Sequence, residues 1–170
     1  VKRWLWLTLV VLILDQASKW LVLMAIAPHE VIALTPHLHL TLLFNEGAAF
    51  GMLAGAAGWQ RWFFVALALG MSVFLTLWLL RLQLEERLQA AALALIIGGA
   101  LGNLIDRLWL GRVIDFIQVY LPFIPLPLFN PWPAFNLADS AISIGVILLL
   151  LATWRALPTS PLPQGEGRKE

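Results

Sequence analysis

The chain has 170 residues, 61% of them hydrophobic and only 12% charged, with a mean hydropathy of +0.84. A soluble domain carries about 25% charged residues, so a water-soluble globule of this composition would expose apolar patches that monomers rarely carry; lipid is the solvent that fits. The net charge of +1 excludes the basic footprint of a nucleic-acid binder, and the absence of cysteine excludes disulfides, thiolate metal sites and a cysteine nucleophile.

A helix needs roughly 20 apolar residues to cross a bilayer. Four segments qualify: Trp4–Ala27, Trp59–Leu80, Leu88–Leu108 and Phe135–Leu157. The first does not close on an A-x-A pattern, so it reads as a retained span, not a removable leader. Between the first two spans, His37-Leu38-His39-Leu40-Thr41-Leu42 alternates polar and apolar, which predicts a strand. Asn45-Glu46-Gly47 then predicts a turn, and Gly51, Gly55 and Gly58 loosen the rest of this connection. The pattern suggests a short sheet at the membrane surface. The connection between the third and fourth spans carries Pro122, Pro125, Pro127, Pro131 and Pro133 and cannot be a long helix. An extended flap, anchored at the interface by Trp132, is expected there.

Lys and Arg set the orientation. Lys2, Arg3, Arg81, Arg87, Arg155, Arg168 and Lys169 flank one set of helix ends, against Arg61, Arg107 and Arg112 on the other. Both termini are therefore expected in the cytoplasm, with Pro28–Gly58 and Trp109–Ala134 outside. One membrane domain is expected over residues 1–157. The Pro-, Gly- and charge-rich stretch 158–170 is expected to be a disordered cytoplasmic tail. No internal repeat of the kind that builds many transporters is present.

Ionisable groups in membrane helices are costly and point to function. Asp15 and Lys19 stand four apart and share a helix face; they either neutralise each other or orient a substrate. In the third span, Gly98 and Gly102 form a small-xxx-small face for close helix packing. Asn103, Asp106 and Arg107 follow at its outer end, where they either bond to one another or present a donor fork to a carbonyl or carboxylate. Asp115 sits among β-branched and aromatic neighbours, which raise a carboxyl pKa by desolvation; a solvated loop acid is the alternative. Asp139 opens the fourth span, with Asn136 placed as a possible N-cap in a capping-box-like arrangement. The third helix ends where the fourth begins, so Asp115 and Asp139 fall at similar depth. Two carboxylates sharing a site cannot easily both ionise, and such a pair suits aspartyl peptidase chemistry.

Taken together, Leu14-Asp15-Gln16-Ala17-Ser18-Lys19, Phe44-Asn45-Glu46-Gly47-Ala48-Ala49-Phe50-Gly51, Gly98 to Arg107, Val113-Ile114-Asp115-Phe116 and Phe135-Asn136-Leu137-Ala138-Asp139-Ser140 resemble bacterial lipoprotein signal peptidase, the signal peptidase II family (aspartyl peptidase family A8). The resemblance implies an all-α membrane protein, four transmembrane helices with a small extracytoplasmic β-cradle and a flap-like loop. It implies an aspartic endopeptidase of the bacterial inner membrane that needs no cofactor. The enzyme would cut diacylglyceryl-modified prolipoproteins before the lipidated cysteine, working as a monomer among membrane lipids with its site at the periplasmic face. Asp115 and Asp139 match the catalytic pair. Asn45, Gly47, Asn103, Asp106, Arg107 and Asn136 match substrate-binding or supporting positions, and Asp15 and Lys19 match supporting ones. The Tyr120–Pro133 stretch is longer and more proline-rich than the family's compact loop.

Three other readings compete. A Ser/Lys dyad would need Ser18 and Lys19 to meet, yet adjacent helical residues point about 100° apart. A metal hydrolase would use His37 and His39, which share a strand face but lack a third ligand. A small proton-coupled carrier or channel subunit would relay protons through its intramembrane acids, but these acids cluster at one face.

Overall fold

The computed structural model describes residues 1–47, 58–124 and 130–156. Four helices form along the chain: α1 (Leu5–Ala25), α2 (Trp59–Arg81), α3 (Arg87–Trp109) and α4 (Leu137–Ala156). Each is long and apolar enough to span a bilayer. A 3-10 turn, Lys2–Trp4, leads into α1. The tryptophans fall at the helix ends. Trp20, Trp59, Trp62 and Trp109 stand exposed toward one end of the bundle, and Trp6, Trp78 and Trp154 toward the other, as amphipathic rings do at membrane interfaces.

Helix α3 is the axis of the bundle. Over half of its most apolar stretch is buried (56%), against 17–22% for the other three, and it packs on α1, α2 and α4. Small residues allow this. Added Cβ atoms would meet Val11 Cβ at 2.8 Å from Gly98, and the Ala138 carbonyl from Gly99. In α4, a Cβ on Gly145 would come within 2.6 Å of Ile96 and 2.8 Å of the Ala92 carbonyl. Backbones this close gain packing that bulkier side chains would prevent. The Thr8 hydroxyl adds a bond across the α1/α3 seam to the Ala94 carbonyl (3.0 Å). On the other flank, Leu75, Leu79 and Leu82 pack on Ala90, Leu93 and Ile97.

A three-stranded antiparallel sheet, order β1-β2-β3, caps one end: β1 (Val31–Ala33), β2 (Leu38–Asn45) and β3 (Val113–Val119). Strand β2 matches the alternation seen at His37–Leu42 and runs three residues further. Strand β3 carries Asp115, which is buried there and is not a solvated loop acid. Its first four residues are buried, so no alternation marks it. Val22 of α1 and Ile26, just past its end, pack under Leu42, Ile114 and Phe116 and seat the sheet on the bundle. Gly111, at φ +77°, reverses the chain between α3 and β3, a conformation glycine adopts without strain. The Arg61 guanidinium of α2 lies over that turn and donates to the Leu108 carbonyl (2.8 Å).

Three expectations fall outside the described residues: the glycine-rich stretch at Gly51 and Gly55, the middle of the proline-rich flap, and the tail 158–170. The described part of the flap returns to the sheet. Phe135 accepts from the Phe116 and Ile117 amides and donates to the Ile117 carbonyl, which places 134–136 beside β3.

Candidate active site

Where α3, α4 and β3 converge, a cavity of about 540 Å³ opens, lined by Asn45, Gly47, Asn103, Arg107, Asp115 and Asp139 among others. Trp132, Pro133, Ala134 and Phe135 form one wall, and Ser140, Ser143 and Ile144 of α4 form another. Trp132, expected as an interfacial anchor, lines the cavity, and its amide donates to the Val119 carbonyl (2.7 Å).

Asp115 comes from β3 and Asp139 from the first turn of α4. Asn136 Nδ2 donates to Asp115 Oδ1 (2.8 Å) and Asn45 Nδ2 to Asp115 Oδ2 (3.1 Å). Asn103 Nδ2 donates to Asp139 Oδ1 (2.8 Å). The Asp139 amide donates to Asn136 Oδ1 (2.9 Å) while the Asn136 amide donates to Asp139 Oδ2 (3.2 Å). The capping box read from the sequence is therefore present, and the same carboxylate lines the cavity. Burial, and then the nearby Asp139 charge, push the Asp115 carboxyl up from 3.8 to about 7, against the pull of the Asn45 and Asn136 amides.

The remaining polar positions sort by depth. Asn136 is fully buried behind the two acids; its amide also reaches the Ile114 carbonyl (3.1 Å) and Asn103 Oδ1 (3.2 Å). Arg107 donates to its own helix at Asn103 O (3.3 Å) and to Gly47 O (3.3 Å), and stacks over Phe64 of α2 at 5.0 Å. Gly47 closes a turn onto Asn45 Oδ1 (3.0 Å), so Arg107 holds to α3 the turn that aims Asn45.

Asp15, Lys19 and Asp106 do not line the cavity. They form a buried tie beneath it, with Lys19 only 1% exposed. An ammonium has three protons to donate, and Lys19 Nζ has three acceptors: Asp15 Oδ2 (2.8 Å), Asp106 Oδ2 (2.8 Å) and Asn103 Oδ1 (2.9 Å). Asp15 Oδ1 accepts from the Ala138 amide in the first turn of α4 (2.9 Å), and Asp106 Oδ2 from the Ile114 amide next to Asp115 (3.2 Å). The pair expected within α1 thus joins α3, α4 and β3. Gln16 completes the tie through Asp15 (3.2 Å), Asp106 (2.9 Å) and the Gly102 carbonyl (3.1 Å). Its role was missed, although an amide beside a buried acid is a readable signal. Ser140, Ser143 and the 132–135 wall were also missed, since nothing in their spacing points at a cavity.

The geometry of the described residues lends two rivals no support. Lys19 has all three donors engaged, and Ser18 donates to the Asp15 carbonyl (2.8 Å), so no Ser/Lys dyad forms. The His39 ring packs on Tyr120 at 4.3 Å, and no metal-ligating cluster occurs among the described residues.

Fold and cavity together define a polytopic membrane protein with two carboxylates lining one cavity at the sheet end of the bundle. Comparison with known proteins sharpens this. The sequence profile described as signal peptidase (SPase) II matches residues 7–155, and the chain belongs to the signal peptidase II family. A lipoprotein signal peptidase of Shigella boydii serotype 4 (strain Sb227) is 48% identical over 151 residues, covering 88% of this chain and 87% of its own. One from Salmonella schwarzengrund (strain CVM19633) is 47% identical over 160 residues, covering 93% and 92%. Two solved bacterial membrane enzyme structures superpose with TM-scores of 0.78 and 0.76 at 28% and 29% identity, covering 95% and 92% of this chain and 95% of each of theirs. The protein is a peptidase of a bacterial inner membrane. The carrier or channel reading finds no support.

Proposed function

We propose that the chain removes signal peptides from diacylglyceryl-modified prolipoproteins, cutting before the lipidated cysteine, with Asp115 and Asp139 as its catalytic acids. The observation that carries the reading is the pair itself: two carboxylates from separate elements line one cavity, each held by amide donors. Family membership supports the substrate class.

In the proposed mechanism Asp115 holds a proton and Asp139 is ionised. Asp139 takes a proton from a water as its oxygen adds to the scissile carbonyl carbon, while Asp115 gives its proton to the carbonyl oxygen. The tetrahedral diol collapses as the C–N bond breaks. Asp139 passes its proton to the leaving amine and Asp115 recovers one from a diol hydroxyl. The products are a signal peptide ending in a new carboxyl and a lipoprotein with a free cysteine amine. Asn45, Asn103 and Asn136 would keep the two acids oriented, and Arg107 with Gly47 would position substrate carbonyls.

The reading extends to the setting. Residues 1–157 form one domain, both termini face the cytoplasm, and the cavity opens at the periplasmic face. A monomer suffices to build the site. Purified enzyme with a lipid-modified prolipoprotein tests the central point. Asp115→Asn and Asp139→Asn should each lower kcat by at least about 10²–10⁴-fold while thermal unfolding shows the fold intact. Normal cutting by either variant would remove that residue from the mechanism.

A further inference from the structure

The end of the bundle opposite the sheet carries a shallow, open cavity of about 460 Å³, lined by Arg3, Trp4, Leu7 and Arg87. Arg3 belongs to the turn before α1, and Arg87 is the first residue of α3. Both are exposed, and neither forms an ion pair among the described residues, whose two salt bridges are both made by Lys19. The nearest acids in sequence are Glu85 and Glu86, and Glu86 is engaged in accepting the Gln83 amide (2.6 Å). Trp4 is partly buried against the Leu75–Ile97 cluster. The lining therefore joins two guanidinium groups, unpaired among the described residues, to an indole and an aliphatic wall.

Nothing in peptide hydrolysis calls for this arrangement, and it lies at the far end of the helices from Asp115 and Asp139. Guanidinium forks match phosphate oxygens in pairs. Tryptophan favours headgroup depth, and basic pockets between membrane helices take anionic headgroups. A free phosphate would use the arginines and leave Trp4 and Leu7 without purpose.

We propose that this cavity binds one anionic phospholipid, its phosphodiester held between Arg3 and Arg87 and its glycerol and upper acyl chain lying along Trp4 and Leu7. The site clamps the ends of α1 and α3 together from outside the protein. It depends neither on the catalytic assignment nor on which leaflet that end faces.

The test uses the full chain in detergent, titrated separately with phosphatidylglycerol, phosphatidylcholine and inorganic phosphate, with retained lipid counted by native mass spectrometry and stability followed by thermal unfolding. One phosphatidylglycerol should be retained, with a saturable rise in Tm that phosphatidylcholine and inorganic phosphate do not give. Arg3→Gln and Arg87→Gln should each weaken phosphatidylglycerol binding about fivefold, and the double Lys variant, which keeps the charge without the fork, should bind between wild type and the double Gln variant. Leu7→Trp, which crowds the aliphatic wall beside Trp4 and keeps both charges, should weaken it, and gives the test if the double Gln variant does not fold. Equal retention of phosphatidylcholine, an equal Tm rise with inorganic phosphate, or unchanged binding in the Leu7→Trp variant would each overturn the proposal.

Discussion

Asp115 has a pH signature that can be measured in two ways. Its carboxyl is held above its ordinary value, at about 7, by burial and by Asp139. The folded chain therefore binds a proton there that the unfolded chain releases near 3.8. Stability from this group is fully present below about 3.8 and falls as pH rises toward about 7. Unfolding in detergent should show that decline in the wild type and a flatter profile in Asp115→Asn. In the proposed mechanism Asp115 must start protonated, so kcat/KM should fall about tenfold per pH unit above roughly 7. An activity plateau reaching pH 9 would assign the starting proton elsewhere. Lys19 gives a second prediction at this scale. Lys19→Met leaves Asp15 and Asp106 facing each other without their cation and should cost about 3–5 kcal/mol. Adding Asp106→Asn should recover part of that loss, which a double-mutant cycle in thermal unfolding would measure.

Much of the site could be read from residue type. Charged and amide groups in an apolar chain stand out, and Asp15, Lys19, Asn103, Asp106, Arg107, Asp115, Asn136 and Asp139 all stood out. What spacing could not supply was depth. Asp106 and Arg107 are neighbours, yet one faces a buried ammonium and the other lines the cavity. That division follows from the 100° step between helical neighbours combined with where α1 packs, and α1 packs where Gly98 lets it.

At the scale of elements, the four helices were legible to within two residues at every end because apolar length is a strong signal. Strand β1 was missed because three exposed residues carry no period, and β3 because burial on both faces removes alternation. Helix packing has its own test. Gly145→Ala would push a Cβ against Ile96 and the Ala92 carbonyl, and should destabilise by about 1–3 kcal/mol and lower kcat by shifting α4, which carries Asp139. Gly70→Ala, in α2 with nothing within 4 Å of the new Cβ, should leave both unchanged. Equal effects from the two would mean that the α3/α4 seam does not position the acid.

For the whole molecule, the orientation read from Lys and Arg can be checked cleanly because the chain has no cysteine. Single cysteines at exposed positions on either end, Glu46→Cys beside the cavity and Glu85→Cys in the α2–α3 turn, can be challenged with a membrane-impermeant maleimide. In cells whose outer membrane alone is opened, Glu46→Cys should react, and Glu85→Cys should react only after the inner membrane is breached. The reverse pattern would invert the topology and place the cavity in the cytoplasm.

The order of the elements along the chain has a consequence for biosynthesis. Asp115 and its hydrogen-bond partners Asn45 and Asn136 all precede α4, whereas Asp139 lies in its first turn. During synthesis, a chain with three helices in the membrane has one acid of the proposed pair and half a cavity. The buried tie is also incomplete at that stage, since Asp15 awaits the Ala138 amide. Hydrolytic competence would thus arrive with the last helix, and a stalled or truncated nascent chain would be harmless to the newly made membrane proteins around it.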